Sequence, residues 1–135
     1  METSEPRLIE MTDPDSDLAR QAFEIYEASF PIEERDPVER IAHAMRRKQE
    51  KNRHSEHISH FLAAVDAGRA IGLVMYSYYK IERLGFLFYM ATDLDLRGQG
   101  LGSWMFKKTM QRLEEDAHFL AGEPPLGMFW EVERP

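Results

Sequence analysis

Apolar positions recur along this chain with two different periods, and the change of period falls near residue 60. Between Asp17 and Phe30, the residues Leu18, Ala22, Ile25, Tyr26 and Ser29 return at helical spacing. This predicts an amphipathic helix that follows the turn-forming run Asp13–Asp17 and stops at Pro31. A second helix is expected from Asp36, a good N-cap, with Pro37 at the first helical position and Glu39 completing a capping-box-like pattern. Val38, Ile41, Ala42 and Met45 form its apolar stripe, and Arg46, Arg47 and Lys48 make its end basic. The plainer reading of that end is a solvated last turn complementing the helix dipole rather than an anion site. Ahead of both helices, Arg7–Met11 suits a first strand.

From His60 onward the pattern is that of strands. Phe61–Asp66 and Ala70–Tyr79 flank Ala67-Gly68-Arg69 as a hairpin would. Phe86–Thr92 is apolar on both faces, as a central strand covered on each side would be. Leu101–Ala117 reads as a helix with Gly102, Phe106, Met110, Leu113 and Ala117 on one stripe. After Pro124-Pro125, Leu126–Val132 is a last strand. The order β-α-α-β-β-β-α-β describes a layered α/β fold.

The chain's 135 residues, 43% of them hydrophobic, suffice for one core and are too few for two ordinary domains, so residues 1–135 are expected to form a single domain. Seventeen Lys and Arg against 24 Asp and Glu give a net charge of −7. That balance argues against a nucleic-acid binder, whose affinity comes from neutralising phosphates. With no Cys, disulfides, thiolate catalysis and Cys-ligated zinc are excluded. No apolar run is long enough to span a membrane, and the acidic N-terminus lacks the features of a signal peptide, so a cytoplasmic location is expected.

Candidate chemistry is concentrated in Thr92–Ser103, TDLDLRGQGLGS, between a strand and a helix. Gly98, Gly100 and Gly102 let the backbone approach a ligand, and the first N–H groups of the helix, with its dipole, suit a phosphate. Arg97 stands beside them as a phosphate partner. A Walker loop would need a Lys after the second Gly of its motif, and no Lys follows Gly102. A dinucleotide turn would need a third Gly where Ser103 stands.

What fits is R-x-x-G-x-G, as Arg97, Gly100 and Gly102, after a strand and opening a helix. In this element order it resembles the GNAT superfamily of N-acetyltransferases. The resemblance implies a mixed central sheet flanked by helices, with acetyl-CoA or another acyl-CoA as donor. Arg97, Gly98, Gln99, Gly100, Leu101, Gly102 and Ser103 would then hold the pyrophosphate, and Met90, Ala91 and Thr92 would pair with the pantetheine arm. A bulge in that strand would part it from the next one. The sequence also departs from the family. Phe86 stands where a Glu often serves as base, and Leu94 replaces a common Pro. The family's usual C-terminal helix, with its Asn and Tyr, and two further strands are absent before Pro135. Three explanations stay open: a fragment, a site completed by another chain, or a site that has lost catalysis.

Acyl transfer to an amine calls for a base and a proton relay. Glu131 is the first choice as base because it lies nearest the expected splay; Glu133, Glu33 and Glu34 are others. Tyr89, with Tyr76, Tyr78 and Tyr79, could relay a proton or line the acceptor pocket. His54, His57 and His60, with Glu56 and His43, invite a metal reading, but His57 and His60 would face opposite ways along a strand, so no metal is expected and an exposed linker is the simpler account. Trp104 and Trp130 are expected as core or cleft walls. The leading expectation is an N-acetyltransferase in which an amine attacks the acetyl-CoA thioester directly. The acceptor would be a small-molecule amine or a protein lysine, with a cationic one favoured. The alternative is a non-catalytic module that binds CoA or a protein. An exposed last strand suggests a homodimer across that edge.

Overall fold

Alternation of apolar side chains along β2 (His57–Asp66) and β3 (Arg69–Tyr79) serves two cores at once. The computed structural model describes residues 5–50 and 56–130. Phe61, Ala63, Val65, Leu73 and Met75 point to one face of the sheet, where they pack on α1 (Asp17–Ser29) and α2 (Val38–Glu50). Leu62, Ala64, Val74, Tyr76 and Tyr78 point to the other, under α3 (Leu101–Ala121). With β1 (Arg7–Glu10), β4 (Leu84–Thr92) and β5 (Gly127–Trp130), the strands lie in the order β1-β2-β3-β4-β5. The first four are antiparallel, and β5 runs parallel to β4. This is the expected mixed sheet flanked by helices, in the expected element order.

Several boundaries differ from the expectations, each for a local reason. β2 begins at His57 rather than Phe61, because its polar start is absorbed by β3: Ser59 Oγ lies 2.8 Å from Ser77 Oγ, and His57 stacks on Tyr79. His57 and His60 therefore belong to a strand and not to an exposed linker. β4 starts at Leu84, two residues before Phe86. In α2 the cap is Pro37, whose carbonyl accepts the first helical bonds from Arg40 and Ile41. Asp36 lies one residue outside, and its carbonyl accepts from Tyr26 Oη at 2.7 Å.

α3 continues four residues past Ala117 and ends at Gly122, which takes the left-handed conformation (φ +68°) that a helix C-terminus favours. Its buried stripe is Met105, Thr109, Leu113, Asp116 and Ala117, so the expected stripe is turned by about one residue. Phe106 and Met110 flank it as half-buried walls. A buried Asp was not to be expected from periodicity alone. The basic end of α2 is partly tied down, with Lys48 Nζ 2.8 Å from Glu10 and Arg46 3.1 Å from Asp15. Among the described residues, no helix is long and apolar enough to cross a membrane.

Candidate functional site

β4 carries an irregularity at Phe88. Met75 pairs with Tyr89 and Tyr76 with Leu87, so Phe88 is the extra residue of a β-bulge. The bulge resets the alternation: Leu87 and Met90, three apart, both face α3, whereas Tyr89 and Ala91 face α1 and α2. Among the described residues, β5 pairs with β4 from Leu84 to Leu87, below the bulge. Beyond it, Tyr89–Thr92 has no strand on that side among the described residues, which end at Trp130. The side chains of Met90 and Ala91 are taken up by the two cores. What these residues offer along the edge is backbone, the chemistry needed to pair with an extended amide-bearing ligand.

At the end of that edge, Asp93 caps a short 3₁₀ turn (Leu94–Leu96) by accepting the Asp95 N–H at 3.0 Å. Gly98 and Gly100 follow with φ of +86° and +77°, a region costly to residues with a Cβ. The first intrahelical bond of α3 runs from the Trp104 N–H to the Gly100 carbonyl at 3.1 Å. The N–H groups of Leu101, Gly102 and Ser103 therefore precede the helical ladder, at the positive end of a 21-residue helix. A Cβ built on Gly102 would meet nothing within 4 Å. The first turn of α3 is therefore open on that side. Arg97, Gln99 and Ser103 are exposed around the same turn. The residues present fit a pyrophosphate.

In front of the bulge, on the α2 side, lies a cavity of about 310 Å³ with Phe61, Met75, Tyr79, Phe88 and Tyr89 in its wall. Tyr89 is half-buried, its ring edge-on to Tyr26 and Phe30 at 4.9 and 5.1 Å, and its hydroxyl accepts the Asp36 N–H at 3.1 Å. It fastens the α1–α2 connection to the floor of the cavity. Tyr79 shares this wall. Tyr76 and Tyr78 point instead into the core beneath α3. Glu33 and Glu34 sit on an exposed 3₁₀ turn (Ile32–Glu34) away from this wall. Glu131, Glu133 and His54 lie outside the described residues. A second opening, about 430 Å³, lies between α1 and the β4–α3 connection. Glu24, Asp93 and Asp95 stand in it, which suits it poorly to a phosphate. Phe88 had no signal in the sequence, since a bulge leaves no trace in a run of apolar residues.

Behind the bulge lies a polar network that sequence reasoning also missed. His60 Nε2 is 2.9 Å from Asp116 Oδ1, and the Tyr76 hydroxyl donates to Asp116 Oδ2 at 2.7 Å. His60 Nδ1 bonds Glu10, whose other oxygen accepts the Phe61 N–H at 2.8 Å. Burial works to lower the His60 pKa, but the hydrogen bonds and charges of Asp116 and Glu10 outweigh it, and the net shift is upward. For Glu10, burial works upward and is outweighed by His60 and Lys48, so the carboxyl is held below its usual range. Burial first, and then Asp116, push the Tyr76 hydroxyl well up. Among the described residues, no three such side chains are arranged to hold a metal.

A mixed five-stranded sheet flanked by helices, with a bulged fourth strand running into a glycine turn at the start of α3, defines the architecture of this α/β domain. The chain belongs to the acetyltransferase (GNAT) family, whose model matches residues 19–124. Among solved structures, a protein of Bacteroides thetaiotaomicron assigned to the GNAT family superposes with a TM-score of 0.65 at 21% identity, over 96% of this chain and 61% of the other. An aminoglycoside acetyltransferase from an uncultured soil metagenomic sample, in complex with sisomicin, gives 0.59 at 15%, over 96% and 78%. A GNAT family N-acetyltransferase of Escherichia coli in complex with CoA gives 0.57 at 19%, over 84% and 57%. The present chain thus spans less than two thirds of the length of the Bacteroides and E. coli proteins. No curated protein matches the sequence.

Proposed function

We propose that this domain is an N-acetyltransferase that takes acetyl-CoA as donor and a primary amine as acceptor. The observation that carries the reading is the bulge of β4 at Phe88, followed along the same chain by the glycine turn Gly98–Gly102 at the start of α3. Acetyl-CoA, when bound, supplies the activated acetyl group and a thiol leaving group. The N–H groups of Leu101, Gly102 and Ser103, with Gly98, Gln99 and Arg97, hold the pyrophosphate. The Met90–Thr92 backbone aligns the amide-bearing arm as an added strand. Phe88 and Tyr89, at the bulge, border the place where acetyl group and amine meet. Holding the two reactants together supplies several kcal/mol of the rate enhancement. Glu131, next after β5, is the base in this reading, and Tyr89 positions the acceptor wall. A cytoplasmic location fits this chemistry.

Phe86, where a base is common in the family, favours a second reading, a CoA-binding module without turnover. Calorimetric titration with acetyl-CoA, followed by assay of CoA release with added amines, decides between them. One-to-one micromolar binding with amine-dependent release supports the enzyme. Binding with no release supports the module. No binding up to millimolar acetyl-CoA overturns both.

A further inference from the structure

We propose that His60 is a pH-sensitive staple: while its ring carries two protons it ties α3 to β1, and their loss of one loosens α3 together with the N–H groups at its N-terminus. That those N–H groups seat acetyl-CoA rests on the function proposed above; the staple itself does not. Each ring nitrogen of His60 faces a carboxylate. Nδ1 bonds Glu10 of β1, and Nε2 lies 2.9 Å from Asp116 Oδ1 on α3. A carboxylate only accepts, and a neutral imidazole carries a single N–H. Both contacts are hydrogen bonds only with one further proton present, and imidazole is the most basic of the three groups.

The charged and titratable groups around the ring fit an imidazolium. From α2, Lys48 Nζ lies 2.8 Å from the same Glu10 oxygen. From α3, Arg112 stands beside Asp116 and donates to the Leu8 carbonyl of β1 at 3.3 Å. From β3, the Tyr76 ring lies 4.9 Å from that of His60, and its hydroxyl donates to Asp116. Tyr76 and Tyr78 are both pushed up by burial and stay neutral. Among Glu10, Lys48, His60 and Asp116 the charges cancel when the ring is charged. Its deprotonation leaves a net negative charge where the His60 and Asp116 side chains are 11% exposed. Whichever carboxylate keeps the remaining N–H, the other then faces a ring lone pair, and the tie between β1 and α3 opens. The raised His60 pKa sets the window: the tie is complete below pH 6.5 and is lost as pH rises through the raised value.

The rest of α3 is held to the sheet mainly by Met105, Leu113 and Ala117. Apolar contact is non-directional, so it holds a helix down without fixing its direction. Direction is set by the polar ties of Arg112 and Asp116 toward the far end. At the near end, Met105 packs directly over Gly72, and the free N–H groups of Leu101, Gly102 and Ser103 lie one turn beyond. A rigid helix loosened at one end shifts at the other. Linkage makes the effect reciprocal, so a ligand that binds the seated helix raises the His60 pKa further.

The test uses the full chain. NMR follows the His60 ring, the Met105 methyl group at the other end of α3, and the Ala22 methyl group on α1, with and without acetyl-CoA, from about pH 6 to 10. Calorimetry gives acetyl-CoA affinity over the same range. The expected result is a ring protonated on both nitrogens at neutral pH, and a Met105 shift in step with its titration while Ala22 holds still. Acetyl-CoA affinity should fall about fivefold or more over that step, and acetyl-CoA should raise the ring's pKa. In Asp116→Asn the amide donates to a neutral ring and still accepts from Tyr76, so the step should vanish. Glu10→Gln offers an amide donor from the other side and serves if Asp116→Asn does not fold. A ring neutral at pH 7, a Met105 methyl group indifferent to its titration, or an undiminished step in the variants overturns the staple. If Met105 shifts and affinity does not, the link to the ligand seat is overturned. If acetyl-CoA binds at no pH, the proposed function falls, and the ring and Met105 still decide the staple.

Discussion

His60 on β2 and Asp116 on α3 lie 2.9 Å apart across the interface between sheet and helix, and both side chains are 11% exposed. Residue type argues against burying either group, although His60 shares a strand face with Leu62 and Ala64 and Asp116 continues the buried stripe of α3. Their burial is possible because each completes the other: Asp116 also accepts from Tyr76, and His60 also bonds Glu10. The chain of contacts Lys48–Glu10–His60–Asp116–Tyr76 thereby ties α2, β1, β2, α3 and β3 together.

This network predicts how stability depends on pH. The His60 pKa is raised above its ordinary 6.5, so its contribution is fully present below pH 6.5 and fades as pH rises through the raised value. The Glu10 pKa is lowered from 4.5, so its contribution is present above pH 4.5 and fades as pH falls through the lowered value. Urea unfolding across pH 3–9 should show a stability plateau between these limits, with a decline on each side. Asp116→Asn should remove most of the alkaline decline and destabilise the fold by about 3–5 kcal/mol, as expected when one partner of a buried pair is lost. A flat profile from pH 5 to 9 in the parent chain would contradict the assignment.

Arg97 is exposed beside the glycine turn, and its replacement should act on ligand and not on fold. Arg97→Ala is expected to weaken acetyl-CoA binding at least tenfold, the worth of a charge-assisted hydrogen bond of about 1.5–3 kcal/mol. Its melting temperature should match that of the parent. Gly100→Ala should do both kinds of damage, since φ of +77° strains any residue with a Cβ by about 1–2 kcal/mol. Calorimetry paired with thermal melts distinguishes the two variants.

Gly72 on β3 has a different task. A Cβ there would lie 2.7 Å from Met105 Sδ and 2.9 Å from the Ala91 carbonyl oxygen. Met105 can move, but the carbonyl belongs to the backbone of β4. Gly72→Ala is expected to destabilise the protein by about 1–3 kcal/mol, the usual range for overpacking. A denaturation midpoint equal to the parent's would show that the strands give way freely.

Tyr89 and Glu131 should separate by kinetics. The Tyr89 hydroxyl is held by the Asp36 N–H, so Tyr89→Phe should lower stability by about 1 kcal/mol. The acceptor KM should rise while kcat falls less than tenfold. Glu131→Gln, if this residue takes the amine's proton, should lower kcat by about 100-fold or more with acetyl-CoA affinity unchanged. Unchanged turnover would remove Glu131 from the mechanism.

Much of the architecture was legible from residue pattern. The hairpin turn at Ala67-Gly68, the stop at Pro31 and the strand–glycine–helix passage at Thr92–Ser103 are written in local terms, because turns, breakers and helix starts are set by a few adjacent residues. The glycine turn was readable for the same reason: its φ values demand glycine wherever the chain goes next. What local pattern misjudged were positions whose partners lie far away in sequence. His57 and Ser59 read as linker until Tyr79 and Ser77 are set beside them. Thr109 and Asp116 fall outside the apolar stripe of α3 until β2 and β3 are placed beneath it.

The sequence by itself determined the family, the order of elements and the loop suited to a phosphate, since these depend on spacing within a dozen residues. Tertiary structure alone decided that Phe88 is the bulged residue and that an aromatic-walled cavity opens in front of it, on the α2 side of the sheet. It also decided that the Tyr76 hydroxyl is tied to Asp116 beneath α3 while Tyr79 and Tyr89 stand in the cavity wall. A bulge is a mismatch between two strands, and a cavity is space left by several elements. Neither is a property of any one segment, so neither exists until the strands are paired.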